Sequence, residues 1–314
     1  MLDSVPTISV VTPCRNSATT IEAAIKSVRH QGYPNVEHIV VEGASVDGTR
    51  EVLARHPHIV VISEPDRGVY DALNKGLSRA SGDVVIFVNS DDLLRDGALE
   101  AIGTRFQADP DIDVLCGGAT VFGESPDGAR TAVASYATPE AIDLSPQTIT
   151  RGVPIINAKA FRRGFLLETG PFDTTYQFAA DRDLLMRMLL KRPRVKLLYR
   201  ILYEYRLHDT SLTLRQTPAA WEGIKLEHIA LARKYWRICR ERPDLAAHLR
   251  KWHAEEVAKL SWRKMRSGAI VPFLRLAVQA LRFDPLWPVY SVMILIERSL
   301  RSRAADSGRR GNSG

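Results

Sequence analysis

Cysteine is scarce in this chain of 314 residues, and the three that occur (Cys14, Cys116 and Cys239) lie far apart. An odd number of widely spaced cysteines makes neither a disulfide framework nor a zinc-binding pattern. The sequence therefore excludes a disulfide-stapled secreted scaffold and a cysteine zinc module, and we expect a reducing compartment.

Long uninterrupted apolar runs are missing too. The N-terminus, MLDSVPTISVV, has no basic start and no long apolar core before the first strand, so we expect no signal peptide. Near the C-terminus, GAIVPFLRLAVQALRF and PLWPVYSVMILIERSLRSR are each broken by proline or charge and are short for a membrane-spanning helix.

Acidic residues are under-represented in one region only. Residues 250–314 contain 13 Lys and Arg against five Asp and Glu, whereas the rest of the chain contains 30 against 31. A nucleic-acid partner would require basic residues spread over a binding face or a known motif, and we find neither. A basic tail interleaved with Trp, Leu and Ile instead favours an anionic membrane surface, which predicts a cytoplasmic protein with peripheral contact at the inner face of the cell membrane.

Glycine-rich phosphate loops are also absent. The segment after the first predicted strand reads TPCRNSATT, which contains neither G-x-G-x-x-G nor a Walker motif. A bound nucleotide would therefore not be held as in a dinucleotide fold or a P-loop, and its phosphate site would depend on a metal ion.

Strand and helix patterns alternate through the first third of the chain. The predicted strands are TISVVTP, VEHIVVE, HIVVIS and DVVIFV, and the predicted helices are TTIEAAIKSVRHQ, SVDGTREVLARH and VYDALNKGLSRA. Apolar strands separated by single helices indicate an α/β fold with a mostly parallel, Rossmann-like sheet flanked by helices. Beyond it we predict strands at IDVLCGGATVF and VKLLYRILYEYRLH, a helix at FAADRDLLMRMLLKR, and helices alone from Thr217 onward.

Charged residues follow the predicted strands. Glu42 ends the second, Arg67 follows the third, and Asp91 and Asp92 follow the fourth in VNSDDL. Because ligands bind at the carboxyl ends of the strands in such sheets, we expect these residues to share one site. The pair Asp91 and Asp92 has three interpretations: a charged helix N-terminus, a divalent metal site, or a carboxylate pair for acid/base work. The other charges at this edge favour a metal site that binds a nucleotide diphosphate.

Six segments carry a family resemblance. They are ISVVTPCRN, VVEGASVDGT, EPDRGVYDALNKG, GDVVIFVNSDDLL, GPFDTTYQFAADRDLLMRM and YRLHDTSLT. In this order they resemble the inverting family 2 glycosyltransferases, most closely the bacterial polysaccharide-assembly branch, over roughly residues 5–215. The resemblance implies the GT-A fold over 1–215, with a nucleotide-sugar half at about 1–120 and an acceptor half at about 121–215. Residues 216–314 would then be a helical, basic extension with a disordered end.

For the donor, the resemblance implies that Thr12 and Pro13 line the nucleobase pocket and that Arg15 belongs to the nucleotide-sugar site. Glu42 stands where the family usually has an Asp that contacts the base. Arg67 stands where a basic residue faces the diphosphate.

For the chemistry, the resemblance implies that Asp91 faces the ribose or the metal, and that Asp92 ligates Mg²⁺ or Mn²⁺ as the firmer ligand of the two. Asp181 matches the catalytic base. His208 lies in a closing segment that reaches the metal or the phosphates.

The chain departs from the family at four places. Asn89 occupies the first D-x-D position, Gly43 replaces a second acid, and Ala180 precedes Asp181 where Glu is usual. The segment VPIINAKAF lacks a histidine that is often found there.

The sequence thus predicts a metal-dependent inverting glycosyltransferase that moves a sugar from a nucleotide sugar to a glycan or lipid-linked acceptor in cell-surface polysaccharide synthesis. Two alternatives stay open. A sugar-1-phosphate nucleotidyltransferase would need a Gly-rich basic loop after the first strand, and TPCRNSATT is not one. A degenerate, non-catalytic sugar- or partner-binding relative agrees with Ala180 and the missing histidine.

Overall fold

The computed structural model describes residues 5–125, 128–207 and 217–292. The chain forms two compact units, Met1–Arg215 (unit 1) and Gln216–Gly314 (unit 2).

The first part of unit 1 alternates strands with helices. Its elements are β1 (Ile8–Cys14), α1 (Ile21–Arg29), β2 (Val36–Glu42), α2 (Thr49–Ala54), β3 (Val60–Ser63), α3 (Val69–Arg79), β4 (Val84–Phe87), β5 (Leu93–Leu94) and α4 (Ala98–Ala108). All seven residues of β1 are buried, because this strand lies between β2 and β4 and α3 packs on it. Helix α1 buries the apolar face that its sequence predicts, although the side chain of Thr20 at its N-cap makes no capping hydrogen bond.

The second part of unit 1 is less regular. Its elements are β6 (Val114–Glu124), β7 (Arg130–Tyr136), α5 (Pro139–Ile142), α6 (Pro146–Thr150), a 3₁₀ turn (Ile156–Ala158), β8 (Lys159–Arg162), α7 (Arg163–Thr169), α8 (Ala180–Leu190) and β9 (Val195–Arg206). Strands β6 and β7 pair antiparallel, from Ala119 with Tyr136 to Glu124 with Arg130.

All nine strands join one sheet in the order β3-β2-β1-β4-β8-β6-β9-β5, with β7 paired to β6. Strands β1 to β4 are parallel, as predicted, and β6 with β9 is a further parallel pair. The pairs β4–β8, β6–β8, β6–β7 and β5–β9 are antiparallel and extend the mostly parallel sheet that was predicted. Each of these four pairs contains β5, β7 or β8, strands that no sequence pattern indicated.

Unit 2 is helical in its described part, with α9 (Pro218–Ile238), α10 (Pro243–Arg266) and α11 (Ile270–Phe283). Their common core is built from Ile229, Val257, Leu260, Leu276 and Ala280. Within residues 217–292 and the described part of unit 1, no helix combines the length and the hydropathy needed to cross a bilayer.

Candidate active site

The turn after β4 carries the two adjacent aspartates. The amide of Asp92 donates to the carbonyl of Asn89 (3.2 Å), which closes the turn. The Asp92 side chain is only 4% exposed, whereas Asp91 is half-buried. The two carboxylates therefore occupy different environments although they are neighbours in sequence.

Three donors surround the Asp92 carboxylate. The Tyr203 hydroxyl (2.8 Å) and the Asn89 amide (3.0 Å) donate to Oδ2, and the Arg206 backbone N–H (2.8 Å) donates to Oδ1. Burial raises the pKa of Asp92 to about 7, the charge of Asp91 adds to the rise, and these hydrogen bonds oppose it. Asp92 thus ties the turn to the end of β9, more than 100 residues away.

Arg206 reinforces this connection. Its Nε donates to the backbone carbonyl of Asp91 (3.0 Å), its guanidinium forms an ion pair with Glu124, and it lies over the ring of Phe122 at 5.1 Å from the centroid. The last residue of β9 therefore fixes the aspartate turn against the β6–β7 hairpin. The sequence did not single out Arg206.

Glu42 is fully buried at the carboxyl end of β2. Its Oε1 accepts from the backbone N–H of Ser45, and its Oε2 accepts from Ser63 Oγ (2.6 Å) and Arg50 Nε (2.9 Å). Burial alone would raise the pKa of Glu42, but these hydrogen bonds outweigh it and lower the pKa to about 2. The carboxylate that was predicted to contact the base is therefore ionised and already bonded to the loop after β2, to α2 and to the end of β3.

Gly43 leaves a space that Asp66 fills. A Cβ at position 43 would lie 2.0 Å from Asp66 Oδ2 and 3.4 Å from Cβ of Arg15. Asp66 belongs to the loop after β3, where its Oδ1 accepts from the amide of Gly68 (2.9 Å). The second acid that is missing at position 43 in sequence is thus replaced in space by a carboxylate from the next loop. The motif EPDRG was the available signal, and its Asp66 was not singled out.

The predicted donor residues on β1 are brought to the same edge. Thr12 and Pro13 are buried, and Thr12 Oγ1 is hydrogen-bonded to His38 Nε2 at 3.0 Å. That bond occupies the Thr12 side chain, so Thr12 borders the edge with its backbone. Arg15, one residue past β1, is exposed.

Arg67 lies just before α3 with an 81% exposed side chain. Asp71 accepts both from the Arg67 backbone N–H (3.1 Å) and from its guanidinium (3.3 Å). Asp71 therefore holds the Arg67 guanidinium from one side, and most of the guanidinium surface stays accessible to a ligand.

Asp181 lies in the first turn of α8 and is half-buried. Burial raises the pKa of Tyr205, and the negative charges of Asp92 and Asp181 raise it further. The charge of Asp181 therefore acts on the same tyrosine as the charge of Asp92. The Tyr205 hydroxyl donates to Asn157 Oδ1 (3.1 Å), and the Asn157 amide donates to the carbonyl of Phe87 at the end of β4 (3.2 Å). His208 lies outside the described residues.

Loops after different strands are joined at this edge. Ser17, after β1, is hydrogen-bonded to Ser90, after β4, through their hydroxyls at 2.8 Å. Burial raises the pKa of Cys14 to about 12, and the charges of Glu42, Asp47 and Asp91 add to this rise. Acids that end or follow two different strands, β2 and β4, thus act on one thiol.

The carboxylates of the aspartate turn fit a divalent metal ion whose remaining ligands come from a bound substrate. Within the described ranges, no group of three or more His, Cys, Asp and Glu side chains could hold a metal alone. Asp91 and Asp92 are nevertheless hard oxygen donors, and Mg²⁺ or Mn²⁺ commonly combines one or two carboxylates with substrate phosphates.

Comparison with known proteins identifies relatives of this chain. The model of the family described as Glycosyl transferase family 2 matches residues 9–170. The putative teichuronic acid biosynthesis glycosyltransferase TuaG of Bacillus subtilis (strain 168) is 40% identical over 100 residues, which are 30% of this chain and 40% of that protein. The alignment thus spans less than half of that relative. An uncharacterized glycosyltransferase of Mycobacterium tuberculosis (strain CDC 1551 / Oshkosh) is 30% identical over 199 residues, 60% of this chain and 71% of that protein.

Solved structures show the same fold. S. aureus TarS, residues 1–349, superposes with a TM-score of 0.61 at 18% identity, over 97% of this chain and 92% of that chain. The mannosyltransferase PcManGT from Pyrobaculum calidifontis, in complex with GDP-Man and Mn²⁺, gives a TM-score of 0.54 at 19% identity, over 93% and 85%. These likenesses confirm the predicted GT-A fold.

Proposed function

We propose a reaction for this chain from the premise that it belongs to glycosyl transferase family 2. It is a glycosyltransferase, and we propose that it transfers a sugar from a nucleotide sugar to a hydroxyl of a glycan or lipid-linked acceptor, with inversion at the anomeric carbon. The observation that supports this most is that Arg15, Glu42, Arg67 and the aspartate turn all stand at or just after the carboxyl ends of four neighbouring parallel strands.

The donor would lie along the ends of β1, β2 and β3. Arg67 and Arg15 are exposed cations suited to the diphosphate. We assign the base end to the backbone of Thr12 and Pro13, together with Glu42 and with Asp66 in the space above Gly43. Structures of S. aureus TarS with UDP-GlcNAc and of PcManGT with GDP-Man have the same fold, which is compatible with a nucleotide-sugar donor.

For the metal, we propose Asp91 as the main protein ligand. Asp92 was predicted from sequence as the firmer ligand, but both of its oxygens already accept hydrogen bonds and its side chain is almost fully buried. Asp91 is more accessible, and Asp92 holds the backbone from which it projects. A bound Mg²⁺ or Mn²⁺ would supply Lewis-acid stabilisation of the leaving diphosphate. PcManGT, which shares the fold, was solved with Mn²⁺.

For the base, we propose Asp181. Its carboxylate would accept the proton of the acceptor hydroxyl as that oxygen attacks the anomeric carbon on the face opposite the nucleoside diphosphate. A single displacement needs one such base and inverts the anomeric centre. Arg67 would stabilise the negative charge that develops on the leaving phosphate.

The experiment is a panel of UDP- and GDP-sugars with Mg²⁺ or Mn²⁺, read as release of nucleoside diphosphate with and without EDTA. Asp181→Asn should lower the rate of transfer by about 10³-fold while leaving nucleotide binding intact. Glu168→Gln, which neutralises an exposed acid of the preceding helix α7, is the matched control. Transfer by Asp181→Asn at the normal rate would remove the base assignment. Nucleotide binding with no release from any donor would favour the non-catalytic alternative.

We further propose that unit 2 contacts an anionic membrane surface at the cytoplasmic face. Helix α11 exposes an apolar stripe of Val271, Leu274 and Val278, with Arg275 and Arg282 beside it. These spacings of three and four residues place the five side chains on one side of the helix, as in interfacial helices. Charge complementarity favours acidic lipids over a second protein.

Flotation with vesicles that contain anionic or only zwitterionic lipid tests this surface. Leu274→Ser with Val278→Ser should abolish flotation with anionic vesicles, because the change removes apolar area without altering charge. Val133→Ser with Tyr199→Ser, two exposed side chains of unit 1, is the matched control. Equal flotation of both double variants would contradict the proposal.

A further inference from the structure

Helix α3 holds the loop that leads to Asp181. The side chain of Asn74 forms two hydrogen bonds with one residue of that loop: its Nδ2 donates to the Phe172 carbonyl (2.9 Å), and its Oδ1 accepts from the Phe172 amide (2.8 Å). Both backbone groups of Phe172 are therefore satisfied by one amide side chain that lies 98 residues away in sequence.

Tyr70 adds a contact at the far end of the same loop. Its hydroxyl donates to the Phe178 carbonyl (3.1 Å), and its ring stacks on that of Phe172 with the centroids 5.5 Å apart. Tyr70 and Asn74 are four residues apart on α3 and so share one face of the helix. The loop is thus fixed near its beginning and near its end.

This loop has no regular structure of its own to set its course. Residues 171–179 contain only turns and bends between α7 and α8, and Asp181 follows Phe178 by three residues. Phe172 is 2% exposed and also contacts Phe87, the last residue of β4, at 5.4 Å between ring centroids. The start of α8 is therefore located by side chains of α3 and β4.

The same helix reaches the donor side. Arg67 precedes α3 and is bound by Asp71 in its first turn, one residue after Tyr70. One rigid element thus connects the residue proposed for the diphosphate with the contacts that locate the proposed base.

We infer that Asn74 and Tyr70 are positioning residues that set the place of Asp181 relative to the bound donor; this rests on the role proposed for Asp181. Neither side chain needs to touch the substrate. Their effect is exerted through the backbone of the 171–179 loop, because a displaced base no longer reaches the acceptor hydroxyl in line with the bond that breaks.

The test is kinetic. Asn74→Ala should lower kcat by about 10²-fold, the loss expected when a catalytic group moves by about 1 Å. The KM for the donor and the affinity for the nucleoside diphosphate should stay within about twofold, because the donor contacts are untouched. Tyr70→Phe keeps the ring stacking, removes one hydrogen bond and should lower kcat by about tenfold. Ser78→Ala, at an exposed position of α3, is the matched control and should behave as wild type.

A double-mutant cycle separates positioning from a general structural role. If Asn74 acts through Asp181, adding Asn74→Ala to Asp181→Asn should slow transfer by less than about threefold further. A full multiplicative loss, or an equal loss of nucleotide affinity in Asn74→Ala, would overturn the inference. Should Asn74→Ala fail to fold, Tyr70→Phe carries the same cycle. Normal transfer by Asp181→Asn would refute the base assignment itself. A normal kcat in both Asn74→Ala and Tyr70→Phe, together with a strongly impaired Asp181→Asn, would refute the positioning role alone.

Discussion

Truncation to alanine should affect stability at one of the two adjacent aspartates and metal-dependent binding at the other. Asp92→Ala removes the acceptor for three donors, the buried Tyr203 hydroxyl and the half-buried Asn89 amide and Arg206 backbone N–H. Each orphaned donor costs about 1–3 kcal/mol, and the loss of a buried carboxylate beside Asp91 offsets part of this. We expect a net destabilisation of roughly 3 kcal/mol, which for a unit of this size lowers Tm by about 6–12 °C.

Asp91→Ala should give the opposite result. Its side chain is half-buried and its removal relieves the repulsion with Asp92, so stability should change by less than about 1 kcal/mol. Metal-dependent binding of the nucleotide sugar should be lost, because the proposed ligand is gone.

Thermal unfolding by circular dichroism measures the first quantity, and calorimetric titration of the nucleotide sugar with and without Mn²⁺ measures the second. An Asp92→Ala protein with the wild-type Tm and no metal-dependent binding would refute this reasoning. It would restore Asp92 as the ligand that the sequence suggested.

Three further predictions concern the edge of the sheet. Burial lowers the pKa of His38 to about 3, so between pH 6.5 and 3 only the unfolded chain takes up this proton. The free energy of unfolding should be at its full value above pH 6.5 and lower by about 2 kcal/mol at pH 5. In denaturant unfolding at these two pH values, His38→Gln should show a smaller difference in the free energy of unfolding than the wild type. Gly43→Ala should displace Asp66 and raise the donor KM by about tenfold, the value of one hydrogen bond, and an unchanged KM would remove Asp66 from the donor site. Arg67→Ala should raise the donor KM by tenfold or more and change the free energy of unfolding by less than about 0.5 kcal/mol. The control, Arg79→Ala, changes an exposed arginine at the other end of α3 and should leave the donor KM unchanged. Equal KM values for the two variants would contradict the diphosphate role of Arg67.

Much of the first part of the fold follows from local pattern. Strands β1 to β4 are short apolar runs, and α1 buries the residues at helical spacing that its sequence presents. Once the strands are parallel, their carboxyl ends share one edge, so the sequence by itself determined that Glu42, Arg67 and the aspartate pair stand at the same edge of the sheet. The order of the motifs likewise determined the family.

The tertiary structure alone decided how each of these residues is used. Asp91 and Asp92 are equivalent in the printed sequence, and they differ because Tyr203 and Arg206 arrive from a strand more than 100 residues later. In the sequence Gly43 indicates the loss of an acid, whereas in the structure the Asp66 carboxylate occupies the space beside Gly43. Strands β5, β7 and β8 gave no signal, because β5 is two residues long and β7 and β8 lack the apolar runs that mark β1 to β4. Their pairing partners define them rather than their own pattern. Burial and hydrogen-bond partners come from distant parts of the chain, and they set the ionisation and accessibility on which the chemistry depends.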